Sequence, residues 1–417
     1  MSTIEKYSFG IGDRFTRQGK AQLKAIIEAN KRGFPVVPVW NKSNREHQIV
    51  KTLPADTWCE AEEATEALGY SGNWYVDADH INLGSVDAYI EHSNFFTLDV
   101  ADYIGKQADE QEAKELLKKL ERFLGDLKIP GIDTAFPITD ALLNDVVAKF
   151  CNAINEAAQI YRRIREVRGA DDFITEVSMD EVEQAQSPVE LFFILMMIRH
   201  FEIPAQTIAP KFTGRFNKGV DYVGDVDHFR KEFEQDLLVI DYAVNRYDLP
   251  TNLKLSVHSG SDKFTIYPVI GELIAKHDKG IHIKTAGTTW LEEVIGLAMA
   301  GGEALEMAKN IYAVAHLRMD ELCGPYATVI DIERNKLPAP NAVMQWSSEK
   351  FANTLRHIPG HADYDPMFRQ LIHVGYKVAA ELGVKYTSML EQHQEIVGRQ
   401  VTENILERHI KRLRKLD

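Results

Sequence analysis

The residues of this sequence that are best suited to chemistry are two histidines and two carboxylates at the ends of short apolar runs. Asp79 and His80 stand side by side after one run, and Glu176 and His258 stand at the ends of two others. Imidazole and carboxylate groups are common metal ligands, and a carboxylate beside a metal ion can act as an acid or a base. We therefore expect His80, Glu176 and His258 to hold one divalent ion (Zn, Mn, Ni, Co or Fe), with Asp79 and Glu176 as catalytic groups.

Each of these residues also has a purely structural interpretation. The Asp-His pair could cap the next helix and bind a nearby lysine, and His258 could fill a gap at the rim of the fold. A carboxylate at the end of an apolar strand is costly unless it is paired or binds a metal ion. Glu176 could therefore be a structural partner of Lys211 or Lys284.

Basic residues near the same apolar runs predict a positive site inside an acidic protein, because the chain carries 48 Lys and Arg against 62 Asp and Glu. Guanidinium groups match carboxylates, and partial desolvation strengthens the attraction. We expect an anionic substrate to be bound by these side chains, by Lys284 and by a backbone N–H at Ser259. Each basic residue could instead form a surface ion pair. The five basic residues are Arg14, Lys42, Arg45, Lys211 and Arg215.

The elements that would position these residues alternate between β-rich runs and stretches with helical spacing. Eight such repeats predict a (β/α)8 TIM barrel, in which the C-terminal ends of the strands converge on one mouth. A doubly wound sheet is the alternative, but no run is followed by a GxGxxG or GxxxxGK[ST] loop. The eight runs are Tyr7–Ile11, Pro35–Trp40, Trp74–Ala78, Phe95–Asp99, Phe173–Val177, Gln206–Ala209, Leu253–Val257 and Ile281–Lys284.

Two segments are additional to the eight βα units of a minimal barrel. We expect the barrel to occupy residues 1–303, with an inserted helical hairpin over about 109–168. Residues 304–417 are predicted to be a helical extension packed on the barrel, and they end in the amphipathic segment Glu391–Leu416. A contact with a second copy of the chain through this extension stays open.

Composition excludes several classes of function. The formal net charge of −14 disfavours binding to nucleic acid or to an anionic membrane. The three cysteines are far apart and form no CxxC pair, which argues against disulfides and a thiolate zinc site. The longest wholly apolar run, Leu191–Ile198, is far shorter than the roughly 20 residues of a membrane span. With no signal-peptide pattern, the sequence predicts a cytoplasmic protein with a small-molecule substrate.

Five stretches together resemble the tagaturonate epimerases, which interconvert D-tagaturonate and D-fructuronate in hexuronate breakdown. The resemblance spans most of the chain and implies a metal-dependent carbohydrate epimerase with a keto-uronate substrate. The stretches are Ser8–Phe15, Pro38–His47, Val76–Leu83, Phe173–Glu181 and Leu255–Phe264.

A more distant resemblance is to the class II metal-dependent aldolases. It rests on Asp79 followed by His80 and on His258 followed by Ser-Gly-Ser. The resemblance implies an acid/base role for the aspartate and metal binding by both histidines, and Glu176 resembles a carboxylate that some of these enzymes bring near the metal. A further metal-binding histidine of the aldolases has no counterpart within Ile208–Phe216. The third protein ligand is therefore unassigned.

The chemistry of keto-uronates fits this kinship. The inverted carbon is β to the ketone, so its C–H bond is not acidified, and retro-aldol cleavage of the neighbouring C–C bond is easier. A polarised ketone would stabilise the enediolate, and re-addition to the rotated aldehyde would give the other epimer, with Asp79 moving the hydroxyl proton.

Transient oxidation is the rival route, but no nicotinamide fingerprint is present. An aldolase that releases its fragments and a non-catalytic barrel subunit remain alternative functions.

Overall fold

Eight parallel strands close into a barrel at the centre of the protein. The computed structural model describes residues 2–169, 172–259, 261–285 and 287–414. Around the barrel the strand order is β1-β2-β3-β4-β7-β8-β9-β10, and β10 pairs with β1; β5 and β6 form a separate antiparallel pair. The predicted (β/α)8 barrel is confirmed. The strands are β1 (Tyr7–Ile11), β2 (Val36–Ser43), β3 (Tyr75–Ile81), β4 (Phe95–Asp99), β5 (Gly125–Leu127), β6 (Phe136–Ile138), β7 (Ile174–Ser178), β8 (Thr207–Ala209), β9 (Lys254–His258) and β10 (Ile281–Lys284).

The register of the strands brings the polar side chains together. Successive side chains of a strand point to opposite faces, so alternate residues face the interior of the barrel. Glu176 of β7 pairs with Thr97 of β4, and Lys284 of β10 pairs with His258 of β9. The polar side chains near these strand ends therefore lie at one level.

Helices cover the outside of the barrel in the expected alternation. The connection from β3 to β4 differs, because it contains two short 3-10 turns, Val86–Ala88 and Ile90–His92, in place of a full helix. The helices up to the end of the barrel are α1 (Gly19–Lys31), α2 (Asn44–Val50), α3 (Pro54–Leu68), α4 (Glu110–Leu120), α5 (Asp140–Arg168), α6 (Pro188–His200), α7 (Val226–Arg246), α8 (Tyr267–Lys276) and α9 (Thr288–Ala300).

The segment between β4 and β7 contains the long helix α5 and a small β-hairpin that the sequence did not predict. The hairpin pairs β5 with β6 and lies between α4 and α5. Helix α5 spans 29 residues and begins at Thr139, whose side chain accepts a hydrogen bond from the backbone N–H of Leu142. One face of α5 is apolar and buried, so it packs as the helix of this βα unit.

The C-terminal extension consists of further helices, and its last three residues, 415–417, lie outside the described part of the chain. None of the described helices is long and apolar enough to cross a membrane. The helices of the extension are α10 (Gly302–Leu317), α11 (Met319–Cys323), α12 (Pro340–Val343), α13 (Ser348–Leu355), α14 (Pro366–Val374), α15 (Tyr376–Leu382), α16 (Val384–Gln392), α17 (Gln394–Glu403), a π-helical segment (Asn404–Ile410) and α18 (Lys411–Leu413).

Two glycines let the extension pack closely on the barrel. A Cβ atom on Gly296 of α9 would lie 2.6 Å from the Cα atom of Val397 in α17. A Cβ atom on Gly271 of α8 would lie 1.8 Å from the carbonyl oxygen of Leu413 in α18. Helix backbones approach this closely only where the side chain is a hydrogen atom. The close contact between barrel and extension therefore requires glycine at both positions.

A lysine is buried at the other end of the barrel, where β9 begins. The Nζ atom of Lys254 donates hydrogen bonds to the carbonyl oxygens of Glu5 and Lys6. Burial lowers the pKa of Lys254 to about 7, and the charges of Glu5 and Glu176 only partly oppose this effect. The folded protein therefore loses this proton at a lower pH than the unfolded chain.

Replacing Lys254 by methionine should change how stability depends on pH. The pKa of an unfolded lysine is about 10.4, so between pH 7 and 10 the unfolded chain binds a proton that the folded chain lacks. In that window Lys254 makes the free energy of unfolding rise with pH, by at most about 1.4 kcal/mol per pH unit. Urea unfolding at pH 7, 8 and 9 should show a smaller rise for Lys254→Met than for the wild type. Lys24→Met, an exposed control, should follow the wild type, and equal slopes for all three would contradict the assignment.

Candidate active site

The mouth of the barrel is centred on one buried lysine that faces three carboxylates. The Nζ atom of Lys284 lies 2.8 Å from Asp77 Oδ2, 2.8 Å from Asp79 Oδ1 and 3.2 Å from Glu176 Oε1. The same Nζ donates a hydrogen bond to Thr97 Oγ1 at 2.7 Å. These four charged side chains are at most 4% exposed. One ammonium group therefore meets three carboxyl groups inside the protein.

The contacts among these side chains shift the pKa of each of them. Burial alone would lower the pKa of Lys284, but Asp77, Asp79 and Glu176 hold it well above the usual value. Burial opposes the ionisation of Asp79, yet Lys284 and the neighbouring His80 lower its pKa to about 2. Burial raises the pKa of Asp77 to about 7 in spite of Lys284. Asp79 is therefore a carboxylate that can accept a proton.

The two predicted histidines meet a carboxylate that the sequence analysis did not single out. His258 Nδ1 lies 2.9 Å from Asp180 Oδ1, and the ring centroids of His80 and His258 are 5.1 Å apart. One ligand atom from each of His80, Asp180 and His258 lies within 4.8 Å of the other two. Asp180 stands two residues beyond the end of β7, inside the stretch Phe173–Glu181 that carried the family resemblance. Its position after a strand end was the signal that could have found it.

Glu176 contacts His258 from the opposite side. Its Oε1 atom lies 2.8 Å from Nε2 of His258, so this hydrogen bond fixes the ring and leaves Nδ1 facing Asp180. A carboxylate that binds the far nitrogen of a histidine commonly orients that ring toward a metal ion. The geometry thus gives Glu176 contacts with His258 and Lys284, and it places Asp180 in the group of three residues that could hold a metal ion.

His80 reaches the mouth because its strand is irregular. In a regular strand, Asp79 and His80 would point to opposite faces. The pairing of β3 with β4 shifts register between Ala78 and Ile81, and His80 adopts a left-handed φ of 53°. As a result, His80 Nε2 lies 3.7 Å from Asp79 Oδ1. Non-glycine residues with such a φ are uncommon and concentrate at functional sites.

The arrangement fits a divalent cation. His258 Nδ1 approaches Asp180 without the angles of a hydrogen bond, and the buried atoms His80 Nδ1 and Glu176 Oε2 also have no hydrogen-bond partner. Nitrogen and carboxylate donors suit Zn²⁺ and similar ions. A second, overlapping group of three residues contains His80, Asp99 and Glu181. The excess of negative charge around Lys284 favours a cation in this region.

Two of the predicted substrate-binding cations lie after β1 and near the end of β2. Arg14 Nε binds Glu46 Oε1 at 2.7 Å, and its guanidinium group lies 3.8 Å from the ring centroid of Tyr376 in α15. Lys42 is 1% exposed and donates its hydrogen bond to the carbonyl oxygen of Arg14 at 2.7 Å. Lys42 therefore supports the loop that carries Arg14 and does not face the mouth.

The other three cations occupy different surroundings. Lys211 is half-buried, and burial lowers its pKa although Asp180 partly opposes the shift. Arg215 Nη1 forms an ion pair with Asp331 at 2.9 Å, and both side chains are about half exposed. Arg45 is exposed, with its guanidinium group 5.9 Å from the ring centroid of Tyr326. Of the three, Lys211 is the one whose pKa is influenced by Asp180.

Ser259 makes hydrogen bonds within the fold. Both its backbone N–H and its hydroxyl group donate to the carbonyl oxygen of Lys284, at 3.0 and 2.9 Å. The hydroxyl group of Tyr267 in turn donates to the Ser259 oxygen at 3.2 Å. The predicted anion-binding loop includes Gly260, which lies outside the described residues. Ser259 therefore stabilises the pairing of β9 with β10, and its N–H is not free for a ligand.

A large cleft of about 1030 Å³ lies at the opposite end of the barrel. It is lined by α4, by the end of α6 and by the segment before β9, including Lys119, Arg122 and His200. In TIM barrels the chemistry is carried out at the C-terminal ends of the strands. The mouth around Lys284, and not this cleft, is therefore the candidate active site.

Comparisons with known proteins identify the family of the chain. A family model described as "UxaE: tagaturonate epimerase" matches residues 1–413. The tagaturonate/fructuronate epimerase of Thermotoga maritima is 27% identical over 417 residues, which cover 97% of this chain and 80% of that protein.

Solved structures share the fold. The glycerol-complexed crystal structure of the fructuronate-tagaturonate epimerase from Cohnella laeviribosi matches with a TM-score of 0.81 at 22% identity, covering 98% of this chain and 81% of that chain. A probable tagatose 6-phosphate kinase from Sinorhizobium meliloti matches with a TM-score of 0.52 at 10% identity, covering 98% of this chain and all of that chain. At these identities the two structures show the fold alone.

Replacing Lys284 by methionine should strongly destabilise the protein, because it leaves three buried carboxylates without their cation. Removing one partner of a buried ion pair costs about 3–5 kcal/mol. We expect a loss of this size in urea unfolding at pH 7 after treatment with a chelator. The double variant Asp77→Asn/Lys284→Met should recover part of the lost free energy of unfolding, because one acidic group is also removed. Lys336→Met, at an exposed ion pair with Glu333, should cost under about 1 kcal/mol; an equally small cost for Lys284→Met would contradict the account.

Proposed function

This chain belongs to the tagaturonate epimerase family and is a carbohydrate epimerase, an isomerase, and we propose that it interconverts D-tagaturonate and D-fructuronate with the help of one divalent metal ion. The observation that carries the proposal is the grouping of His80, Asp180 and His258 beside the ionised Asp79. The name of the Thermotoga maritima relative supports the choice of substrate.

We propose His80, Asp180 and His258 as the metal ligands. A divalent ion held there would polarise the ketone of the substrate and stabilise the negative charge that develops on its oxygen. Glu176, first expected as a ligand, is proposed instead to position His258 through the 2.8 Å hydrogen bond to Nε2. This assignment supplies the third protein ligand that the resemblance to the aldolases left open.

The proposed reaction breaks and remakes one carbon–carbon bond. Asp79 accepts the hydroxyl proton from the carbon to be inverted, and that carbon becomes an aldehyde. The electrons of its bond to the neighbouring α carbon pass into the ketone, giving an enediolate. After the aldehyde rotates to present its other face, the same electrons re-form the bond and Asp79 returns the proton. The substrate is only rearranged, so no oxidant or reductant is needed.

Lys284 supports this proton transfer without leaving its place. Its contact with Asp79 Oδ1 at 2.8 Å keeps that carboxylate ionised before the reaction. The hydrogen bond from Lys284 to Thr97 and the contacts with Asp77 and Glu176 hold the ammonium group in position. Lys284 is therefore a positioning residue in this proposal, and not a binder of the substrate carboxylate.

Cations at the mouth would hold the acid end of the substrate. Arg14 and Lys211 remain candidates for this role, because burial increases the strength of their attraction to a carboxylate. We propose a small keto-uronate as the binding partner and the cytoplasm as the compartment. An aldolase that releases its two fragments would use the same residues, and free fragments in the assay would identify it.

The ligand assignment is tested by metal content and activity. Purified protein supplied with a divalent ion should convert D-fructuronate to D-tagaturonate, and a chelator should abolish the conversion. His80→Ala and Asp180→Asn should lose both the bound metal and the activity. Glu176→Gln should keep the metal with affinity weakened about 10–100-fold, as expected for a supporting contact.

The control for this test is His228→Ala, which removes an exposed histidine at the start of α7. It should keep the metal content and activity of the wild type. An active, metal-loaded His80→Ala or Asp180→Asn protein would exclude that residue as a ligand.

The bond that breaks is tested with deuterium on the inverted carbon. Retro-aldol cleavage leaves this C–H bond intact, so the product should retain all the deuterium and the rate should show no primary isotope effect. A transient oxidation breaks the bond and would give a primary effect, which would overturn the retro-aldol route. Asp79→Asn should keep its metal and lower kcat by about 10²–10⁴-fold, as expected for loss of an acid/base group.

A further inference from the structure

A histidine of the C-terminal extension is buried at the mouth with no partner for its ring. His373, in α14, is 1% exposed, and neither Nδ1 nor Nε2 has a hydrogen-bond partner. A neutral imidazole carries one N–H donor and one acceptor, and leaving such groups unpaired inside a protein is costly. A ligand that accepts a hydrogen bond would pair the N–H donor and remove that part of the cost.

The ring of His373 is aimed at the start of a helix. Gly287 precedes α9 with a φ of 84°, and a Cβ atom there would lie 2.4 Å from His373 Nε2 and 3.0 Å from Arg14 Nη2. Only glycine allows the backbone to approach the imidazole and guanidinium groups this closely. No side chain caps the helix, and the buried hydroxyl of Thr288 is also unpartnered. The free N–H groups at a helix N-terminus attract anions.

The charges around His373 are positive. Burial lowers its pKa well below the usual value, and the charges of Arg14, Lys218, Arg369 and Lys263 add to this shift. Arg369 is neutralised by Asp262 at 2.6 Å, and Arg14 is paired with Glu46. Lys263 donates its hydrogen bonds to two backbone carbonyl oxygens.

Lys218 is the cation that is left without a counter-charge. None of the described acidic side chains forms an ion pair with Lys218. The hydrogen bond that Lys218 makes is donated by its backbone N–H. Both Lys218 and Asp180 influence the pKa of Lys211, which burial lowers. The charge of Lys218 therefore acts on both His373 and Lys211.

We infer that the carboxylate of the substrate binds at the N-terminus of α9, where it accepts hydrogen bonds from His373 and the backbone and faces Lys218 and Arg14. The inference rests on the proposed function for the identity of the ligand, a six-carbon sugar acid. It assigns a binding role to the C-terminal extension, because α14 supplies the imidazole that completes the subsite.

This position suits the proposed cleavage. The carboxylate belongs to the half of the substrate that becomes the aldehyde, so anchoring it at α9 keeps that fragment bound while it rotates. Neutral ketohexoses have an alcohol in place of the carboxylate and gain nothing from Lys218. The subsite would therefore select sugar acids over neutral sugars.

The selectivity is measured as the ratio of kcat/KM for D-fructuronate to that for D-fructose, the neutral sugar with the same carbon skeleton. Lys218→Met and His373→Ala should each lower kcat/KM for the uronate by about 10–100-fold, the usual range for a hydrogen bond to a charged group. The value for D-fructose should stay within about twofold of the wild type. His373→Gln, which keeps an N–H donor, should recover part of the loss.

The control Lys385→Met makes the same change of charge at an exposed position of α16 and should match the wild type. An equal loss for both sugars, or no loss for either, would overturn the subsite.

A binding measurement tests the subsite independently of the proposed reaction. Calorimetric titration of the purified full chain with D-gluconate and with D-glucitol needs no turnover. The wild type should bind the acid more tightly than the alcohol, and Lys218→Met and His373→Ala should remove that difference. If the wild type fails to epimerise but shows this pattern, the proposed reaction is wrong and the subsite stands. If the variants bind D-gluconate as the wild type does, the subsite is wrong even in an active enzyme.

Discussion

The structure depends on one buried lysine that is outnumbered by carboxylates. Lys284 faces Asp77, Asp79 and Glu176 in a space from which water is almost excluded. Burying charges without full compensation is expensive, so the group is stable only because every partner is held at contact distance. The charge of Lys284 keeps Asp79 ionised, and the excess of carboxylates would favour a cation beside His80, Asp180 and His258. Folding and chemistry thus share one electrostatic arrangement.

Much of the fold and part of the site could be predicted from the sequence. All eight barrel strands could be recognised because each is a short apolar run followed by polar residues. Asp79, His80 and His258 stood out for the same reason, since strand ends of a barrel meet at one mouth. The β-hairpin after α4 was missed, because its two strands are only three residues long.

The remaining parts of the site depend on contacts between distant residues. The register shift that turns His80 toward Asp79 leaves no mark on apolar periodicity. Asp180 follows a strand end, but the sequence does not show that its carboxylate meets His258. Lys42 resembled a substrate-binding cation, but its carbonyl partner on Arg14 is visible only in three dimensions. His373 was not singled out, since nothing in the sequence of α14 shows that its ring meets Gly287.

The order of the chain has a consequence for how the protein is made. The proposed metal ligands all precede Ser259 and the central lysine follows soon after, whereas His373 belongs to a helix near the other end of the described chain. Proteins leave the ribosome from the N-terminus, and early segments fold first. During translation the strands that carry the acidic centre therefore leave the ribosome well before α14 and its His373. The proposed subsite could be complete only after the last helices have packed against Gly296 and Gly271.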